Sequence, residues 1–120
     1  MSRLRTIVIV DDEEDILDVL SLSLEGKDWT VLAFQSAKEA LAYIERHAVD
    51  VVLSDVRMPG MSGVELFRQV RAKQPQLPFL LMTGFSAVDQ PLLTAVPCQV
   101  LSKPFELAHL HKVLAETINR

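Results

Sequence analysis

The sequence has little of several features that define whole classes of proteins. A single cysteine, Cys98, excludes an intramolecular disulfide and favours a reducing compartment, where we expect this thiol to pack as a small core hydrophobe. No apolar run approaches the roughly 20 residues that cross a bilayer. The N-terminal apolar run at Ile7–Val10 leads into acidic residues, which is unlike a signal peptide. These absences predict a soluble, cytoplasmic protein with no membrane partner.

The chain also lacks an excess of positive charge. It has 12 Lys and Arg against 16 Asp and Glu, and a formal net charge of −4. Because nucleic-acid-binding domains present basic surfaces to phosphates, we expect no direct nucleic-acid binding by this chain. Its 120 residues, 49% hydrophobic and 23% charged, are typical of one globular domain, which we place at residues 1–120.

Short apolar runs alternate with amphipathic stretches. The runs predict five buried strands, at Ile7–Val10, Trp29–Phe34, Val51–Ser54, Phe79–Met82 and Gln99–Leu101. Helical spacing of apolar residues predicts a helix after each strand, and the fourth helix, near 86–95, should be short or irregular because Pro91 interrupts it. This alternation predicts an α/β, flavodoxin-like domain. Its five-stranded parallel sheet should have the order 2-1-3-4-5, with helices on both faces.

Polar residues stand where four of these strands end. Asp11 and Asp12 follow the first strand, Asp55 the third, Thr83 the fourth and Lys103 the fifth. Because parallel strands end at one edge of a sheet, we expect these side chains to converge there. Clustered carboxylates repel one another unless a cation is present, and Mg²⁺ suits two or three carboxylates plus water. The cluster is therefore suited to phosphoryl transfer onto Asp55, giving an aspartyl phosphate.

Four motifs contain these residues. They are Ile9-Val10-Asp11-Asp12-Glu13, Asp55-Val56-Arg57-Met58-Pro59-Gly60-Met61-Ser62-Gly63, Thr83-Gly84 and Lys103-Pro104-Phe105. In this order and at these spacings they resemble the receiver domain of two-component response regulators, over essentially the whole chain. The resemblance implies that Asp55 is the phosphoacceptor. Its phosphoryl group would come from a phosphohistidine of a sensor histidine kinase or a histidine phosphotransfer protein.

The resemblance also implies a role for each neighbouring residue. Asp12 would bind Mg²⁺ directly, Asp11 would assist through water, and the backbone carbonyl of Arg57 would be a further ligand. Thr83 would hydrogen-bond the phosphoryl group, and Lys103 would form an ion pair with it. The resemblance further implies a downstream effector or a fused output domain, whose identity it leaves open, and a weak or phosphorylation-dependent dimer.

The sequence departs from the family pattern in its second half. Family members commonly have Tyr or Phe three residues before the lysine, a position that Val100 occupies here. A valine has no ring to turn inward, so the usual aromatic relay is expected to be absent or altered. The spacing from Thr83 to Lys103 is also shorter than is usual in the family.

Two other classes of function remain open from the sequence. The first is a metal-dependent hydrolase that uses Asp55 as its nucleophile. Enzymes of this kind have a second Asp two residues after the nucleophile, as general acid, and this chain has Arg57 at that position. The second is a binding module that does not depend on phosphorylation. Arg57 counts against the hydrolase, and the intact set of Asp12, Asp55, Thr83 and Lys103 counts against the phosphorylation-independent module.

Overall fold

A computed structural model describes residues 4–25, 28–84, 97–103 and 106–118, and in these ranges the chain forms five strands and four helices. In chain order they are β1 Arg5–Val10, α1 Glu14–Leu24, β2 Trp29–Phe34, α2 Ala37–Arg46, β3 Val51–Asp55, α3 Gly63–Lys73, β4 Phe79–Thr83, β5 Gln99–Ser102 and α4 Leu107–Ile118. The short or irregular helix expected near 86–95 lies outside the described residues.

The five strands form one parallel sheet in the order β2-β1-β3-β4-β5. The predicted fold class and strand order are confirmed. The strand bounds differ from the predicted ones by no more than two residues: β1 begins at Arg5, and β3 includes Asp55 as its last residue. The carboxylate of Asp55 therefore projects from the ladder itself, where pairing with β4 fixes the backbone.

The core has two layers, one on each face of the sheet. On one face, α2 and α3 cover strand residues such as Val8, Val52 and Leu81. On the other face, α1 and α4 cover alternate strand residues such as Ile9 and Leu53. Because side chains alternate between faces along a strand, a strand buried on both sides must be apolar at nearly every position. This requirement explains the uninterrupted apolar runs in the sequence.

Serine side chains cap two of the helices. The spacing of Ser36 and Glu39 predicts a capping box at the start of α2, and its first half is present: the Ser36 hydroxyl accepts from the Glu39 N–H. Both halves form at α3. There the Ser62 hydroxyl accepts from the Glu65 N–H at 3.1 Å, and a Glu65 carboxylate oxygen accepts from the Ser62 N–H at 3.4 Å. The start of α3 is thereby fixed close to the end of β3.

Helix α1 leaves some apolar side chains outside the core. Leu17, Leu20 and Leu24 are buried against the sheet, at a spacing of three and four residues that keeps them on one face. Val19 and Leu22 do not lie on that face, and they are 53% and 81% exposed. Val19 lies toward α4 and borders a groove between the two helices. None of the described helices has the length and apolar character needed to cross a membrane.

The two-layer core predicts a large difference between two Leu→Ala substitutions. Leu53 is fully buried in β3, so we expect Leu53→Ala to lower the free energy of unfolding by about 2–5 kcal/mol. The matched control, Leu22→Ala, removes the same atoms from an exposed position and should change it by less than about 0.5 kcal/mol. Urea unfolding of the three proteins measures both values, and equal effects would contradict the assigned core.

Candidate functional site at the carboxyl edge of the sheet

The pairing of β1 with β3 brings two acidic residues side by side. Val10 is paired with Ser54, and the next residue on each strand is Asp11 and Asp55 respectively. Asp12 follows directly, and carboxylate oxygens of the three acids all lie within 4.8 Å of one another. Asp11 is fully buried and Asp55 nearly so, whereas Asp12 is exposed. The convergence expected from the strand order is thus present for all three carboxylates.

Lys103 lies between the two buried acids. Its Nζ is 2.7 Å from Oδ2 of Asp11 and 3.3 Å from Oδ1 of Asp55, and its side chain is 16% exposed. The sequence places Lys103 beside Asp55, and the structure shows that its shorter contact is with Asp11. One ammonium group therefore bridges two carboxylates that would otherwise face each other without a counter-charge.

Hydrogen bonds orient both of these acids. Oδ1 of Asp11 accepts from the Glu13 N–H at 2.9 Å, and Oδ1 of Asp55 accepts from the Val56 N–H at 3.0 Å. Each bond is made to a main-chain group one or two residues ahead, at the point where a strand becomes a loop. The carboxylates are therefore tied to the backbone as well as to Lys103.

Burial has a large effect on the ionisation of Asp55. It raises the pKa of this carboxyl to about 6, and the nearby charge of Asp11 acts in the same direction, while Lys103 and the Val56 N–H oppose the rise. Burial lowers the pKa of Lys103, but its hydrogen bond to Asp11 and the charge of Asp55 outweigh burial, so this pKa lies above its usual value. Lys103 therefore stays protonated at neutral pH, whereas the pKa of Asp55 lies about one unit below neutral pH.

Thr83 lies at the same edge, one residue beyond the Met82 that pairs with Asp55. Its hydroxyl donates to the Gly84 carbonyl at 2.9 Å, and its own carbonyl accepts from the Lys103 N–H at 2.7 Å. The ends of β4 and β5 are thus joined directly by their main chains. Among the hydrogen bonds of the described residues, the Thr83 hydroxyl makes none to the three acids.

A cavity of about 470 Å³ opens beside the acids. Its lining residues are Asp12, Val56, Arg57, Met58, Pro59, Ser62 and Val64. The loop that forms it turns at Gly60, which has a φ of +79° and so lies in the left-handed region that favours glycine. Arg57, the residue expected to supply a backbone carbonyl, shares this cavity with Asp12. Both residues therefore line the cavity next to the acidic cluster.

The donor set of the cluster fits a hard divalent cation. It consists of carboxylate oxygens alone, and two of the three acids are held where water solvates them poorly. With all groups ionised, three negative charges and the one positive charge of Lys103 leave a net charge of −2. The cluster could hold a metal ion, and a cation would relieve the repulsion that remains.

Two further contacts at Asp55 are not evident from the sequence pattern. The Ser54 hydroxyl donates to the Asp55 carbonyl at 2.9 Å, and a Cβ added at Gly63 would lie 2.0 Å from that carbonyl oxygen. From the sequence alone, Gly63 is the last residue of the Asp55 motif, and its simplest interpretation is a residue that shapes the loop. The available signal is a glycine at the first position of a helix, where almost any other residue is a better helix former.

A parallel sheet of this order, with three acids and a lysine at its carboxyl edge, is the arrangement that the resemblance to receiver domains implies. The model of the response regulator receiver domain family matches residues 7–115, and the chain belongs to that family. It is a receiver domain of the two-component signalling type, as its motifs indicate.

The chain is similar to several curated regulators. Over 84 residues it is 42% identical to the C4-dicarboxylate transport transcriptional regulatory protein DctD of Rhizobium meliloti, a match that covers 70% of this chain and 18% of DctD. Over 111 residues it is 36% identical to the response regulator protein FleR of Pseudomonas aeruginosa, covering 91% of this chain and 24% of FleR. The chain therefore spans less than a quarter of the length of either relative.

Solved structures show the same fold. A response regulator receiver domain protein from Clostridium thermocellum superposes with a TM-score of 0.86 at 30% identity, covering 98% of this chain and 96% of that one. A CheY-like receiver domain protein from Methanospirillum hungatei superposes with a TM-score of 0.88 at 28% identity, covering 98% and 95%. Both superpositions extend over nearly the entire length of the chain.

The raised pKa of Asp55 predicts how stability depends on pH in the absence of metal. The pKa rises from 3.8 to about 6 on folding, so between these values the folded state retains a proton that the unfolded state has lost. Stability is therefore lost as pH rises through this interval, by up to about 3 kcal/mol. Asp55→Asn removes the titration, so its stability relative to the wild type should increase from pH 4 to pH 7.

Urea unfolding in chelator at several pH values measures this difference. Asp12→Asn serves as the control because Asp12 is the exposed member of the cluster, and its pH profile should follow that of the wild type more closely. A constant difference between wild type and Asp55→Asn across this range would contradict the burial of the charge.

Proposed function

We propose that this chain is the phosphoacceptor of a phosphorelay. Asp55 accepts a phosphoryl group from a phosphohistidine of a sensor histidine kinase or histidine phosphotransfer protein, and the new charge alters a surface that another protein reads. The observation that carries the proposal is the placement of Asp55. Its buried carboxylate ends a central strand and lies next to Lys103 and two further acids.

The proposed transfer uses the ionised carboxylate as nucleophile. An oxygen of Asp55 attacks phosphorus, the P–N bond to the donor imidazole breaks, and its electrons leave with the imidazole, giving an aspartyl phosphate. A pKa of about 6 leaves most of the carboxyl ionised at pH 7. Because the group is nearly buried, it is also less shielded by water than a surface carboxylate.

The acidic cluster fits Mg²⁺ as the cofactor. Asp12, Asp11 and Asp55 would hold it together with the backbone carbonyl of Arg57, which lines the same cavity as Asp12. When bound, the ion supplies positive charge next to the phosphoryl oxygens. The residues of the chain do the rest: Lys103 pairs with a phosphoryl oxygen, and the Thr83 hydroxyl turns from the Gly84 carbonyl to donate to another.

An apolar groove beside Lys103 supports a protein as the phosphodonor. The groove has a volume of about 470 Å³ and is lined by Glu13, Asp15, Ile16, Val19, Leu20, Lys103 and Leu107. Val19 and Leu107 are exposed there, between α1 and α4. Apolar side chains exposed together next to a reactive site are typical of a protein-docking surface. We therefore place the donor protein against this groove, with its phosphohistidine over the acidic edge.

The similar proteins suggest a consequence of phosphorylation. Salmonella typhimurium NtrC, which is 41% identical over 81 residues, is a DNA-binding transcriptional regulator, and the match covers 17% of it. By this analogy, residues 1–120 act as a cytoplasmic receiver that controls a downstream effector or a fused output domain. Because this chain has a net negative charge, we expect the effector or the output domain, and not the receiver, to make any contact with DNA. A dimer that is weak or that depends on phosphorylation fits the same scheme.

The proposal predicts a defined covalent product. With Mg²⁺ and a small phosphodonor such as acetyl phosphate, the wild type should gain the mass of one phosphoryl group, and Asp55→Ala should gain none. Replacing Mg²⁺ with chelator should abolish the gain, because the three acids then repel the donor. Intact-mass spectrometry measures all three reactions.

The same preparation separates this function from a hydrolase. An unmodified wild-type chain under these conditions would overturn the proposal. Sustained turnover of unrelated phosphomonoesters would instead favour an enzyme with Asp55 as nucleophile. Binding of an effector with equal affinity to wild type and Asp55→Ala, before and after phosphodonor treatment, would favour a module that does not depend on phosphorylation.

The groove predicts that protein and small-molecule donors respond differently to one substitution. Val19→Asp places a charge in the apolar groove, so transfer from a phosphorylated histidine phosphotransfer protein should slow by about tenfold or more. Labelling by acetyl phosphate should be unchanged, because Val19 is not part of the acidic cluster. Leu22→Asp is the matched control: it lies on the same helix, is more exposed, and does not line the groove. Equal slowing by both variants would contradict the docking surface.

A further inference from the structure

Two groups constrain the main-chain carbonyl of Asp55. The Ser54 hydroxyl donates to the carbonyl oxygen at 2.9 Å, and Ser54 is fully buried. The α-carbon of Gly63 approaches so closely that an added Cβ would lie 2.0 Å from this oxygen and 2.9 Å from the carbonyl carbon. The same Cβ would lie 3.1 Å from the Ser54 hydroxyl oxygen, so the two groups lie next to each other at this carbonyl.

The approach of Gly63 is fixed by the start of α3. The Gly63 N–H donates to the Val56 carbonyl at 2.9 Å, which ties the first residue of the helix to the residue after Asp55. The reciprocal hydrogen bonds between Ser62 and Glu65 then fix the direction in which α3 leaves this point. Since both ends of the contact are main chain, neither can move aside as a flexible side chain would.

We propose that Ser54 and Gly63 are positioning residues that fix the backbone of Asp55 and so aim its carboxylate at Lys103 and the neighbouring acids. This assignment rests on the proposed function for what the carboxylate does, whereas the positioning itself concerns only the geometry of the cluster. Neither residue touches the phosphoryl group.

The geometry shows why such control is required. Oδ1 of Asp55 lies 3.3 Å from Nζ of Lys103 and accepts the Val56 N–H at 3.0 Å. Because hydrogen-bond lengths vary by only a few tenths of an ångström, these two contacts limit where this oxygen can lie. A group displaced by about 1 Å from its productive position can lose about 100-fold in rate. To relieve a contact of 2.0 Å between an added Cβ at Gly63 and the Asp55 carbonyl oxygen, the backbone of one of the two residues must shift by about 1 Å.

A purely structural role for Gly63 predicts a different outcome. Alanine is a better helix former than glycine, so propensity alone would make Gly63→Ala a stabilising change. If the added methyl group only disturbed core packing, it would lower stability without moving the Asp55 carboxylate in particular. A readout at the acidic cluster, separate from stability, therefore distinguishes positioning from packing.

The test compares Gly63→Ala, Ser54→Ala and Ser54→Thr with the wild type. Ser54→Ala removes the hydroxyl donor, and Ser54→Thr retains it. Ile44→Val is the control for lost stability, because it trims a buried residue near the far end of α2. For each protein that is folded by circular dichroism, the rate of labelling by acetyl phosphate is measured per folded molecule, and a crystal structure gives the separation of Asp55 Oδ1 from Lys103 Nζ.

We expect Gly63→Ala to label about 10- to 100-fold more slowly than wild type, with a longer separation between Asp55 and Lys103. Ser54→Ala should label about fivefold more slowly, as expected for the loss of one hydrogen bond, and Ser54→Thr should recover most of that rate. Ile44→Val should label at the wild-type rate. If Gly63→Ala does not fold, Ser54→Ala and Ser54→Thr decide the question.

Wild-type rates and an unchanged carboxylate position in both alanine variants, or in Ser54→Ala alone if Gly63→Ala does not fold, would overturn the assignment. So would an equal loss of rate in Ser54→Ala and Ile44→Val. Failure of the proposed function has a different signature: the wild type would then take up no phosphoryl group. The crystal structures would still show in that case whether the two residues set the direction of the carboxylate.

Discussion

The burial of two carboxylates beside each other is the constraint on which the rest of this structure depends. Asp11 directly follows β1 and Asp55 ends the neighbouring β3, and the ladder between these strands prevents the two acids from separating. Isolated buried charges of this kind would be strongly destabilising. Lys103 compensates part of the cost by contacting both acids, at 2.7 and 3.3 Å. The sheet therefore keeps the two acids adjacent, and the contacts with Lys103 offset part of their repulsion.

That balance is incomplete without a further cation. Lys103 supplies one positive charge to three carboxylates, and the raised pKa of Asp55 shows that repulsion and burial are not fully compensated. A phosphoryl group on Asp55 adds more negative charge at the same place. Under the proposed function, a divalent cation and Lys103 are needed together, because neither alone neutralises the charges present after transfer.

Most of the fold could be predicted from the sequence, because the strands are buried on both faces. Apolar residues suit such strands, so the apolar runs in β1, β3 and β4 locate each strand, with bounds that differ by no more than two residues. The rule that parallel strands end at one edge then brings Asp11, Asp12, Asp55 and Lys103 together without further information. The groove beside Val19 was not predictable in this way. Two residues after Leu17, Val19 lies about 200° around α1 from that buried leucine, so helix geometry accounts for its exposure. Only the position of α4 shows that it borders a groove.

The fine geometry of the site was less accessible to sequence reasoning. Which acid Lys103 contacts more closely depends on tenths of an ångström in side-chain position, and no residue pattern encodes that distance. Gly63 is a similar case. A glycine after a turn motif is readily explained by the loop, and its contact with the Asp55 carbonyl follows only from the angle at which α3 starts. Features that depend on the approach of two backbones are therefore the least visible in a sequence.

The ends of β4 and β5 carry Thr83 and Lys103, and they are joined without an aromatic side chain at position 100. Val100 pairs with Leu81 and packs partly buried against the α2–α3 face, so β5 has no aromatic ring at this position to turn between buried and exposed states. The Thr83 carbonyl, however, accepts directly from the Lys103 N–H at 2.7 Å. The ends of β4 and β5 are therefore linked through their main chains, and no ring at position 100 takes part in that link.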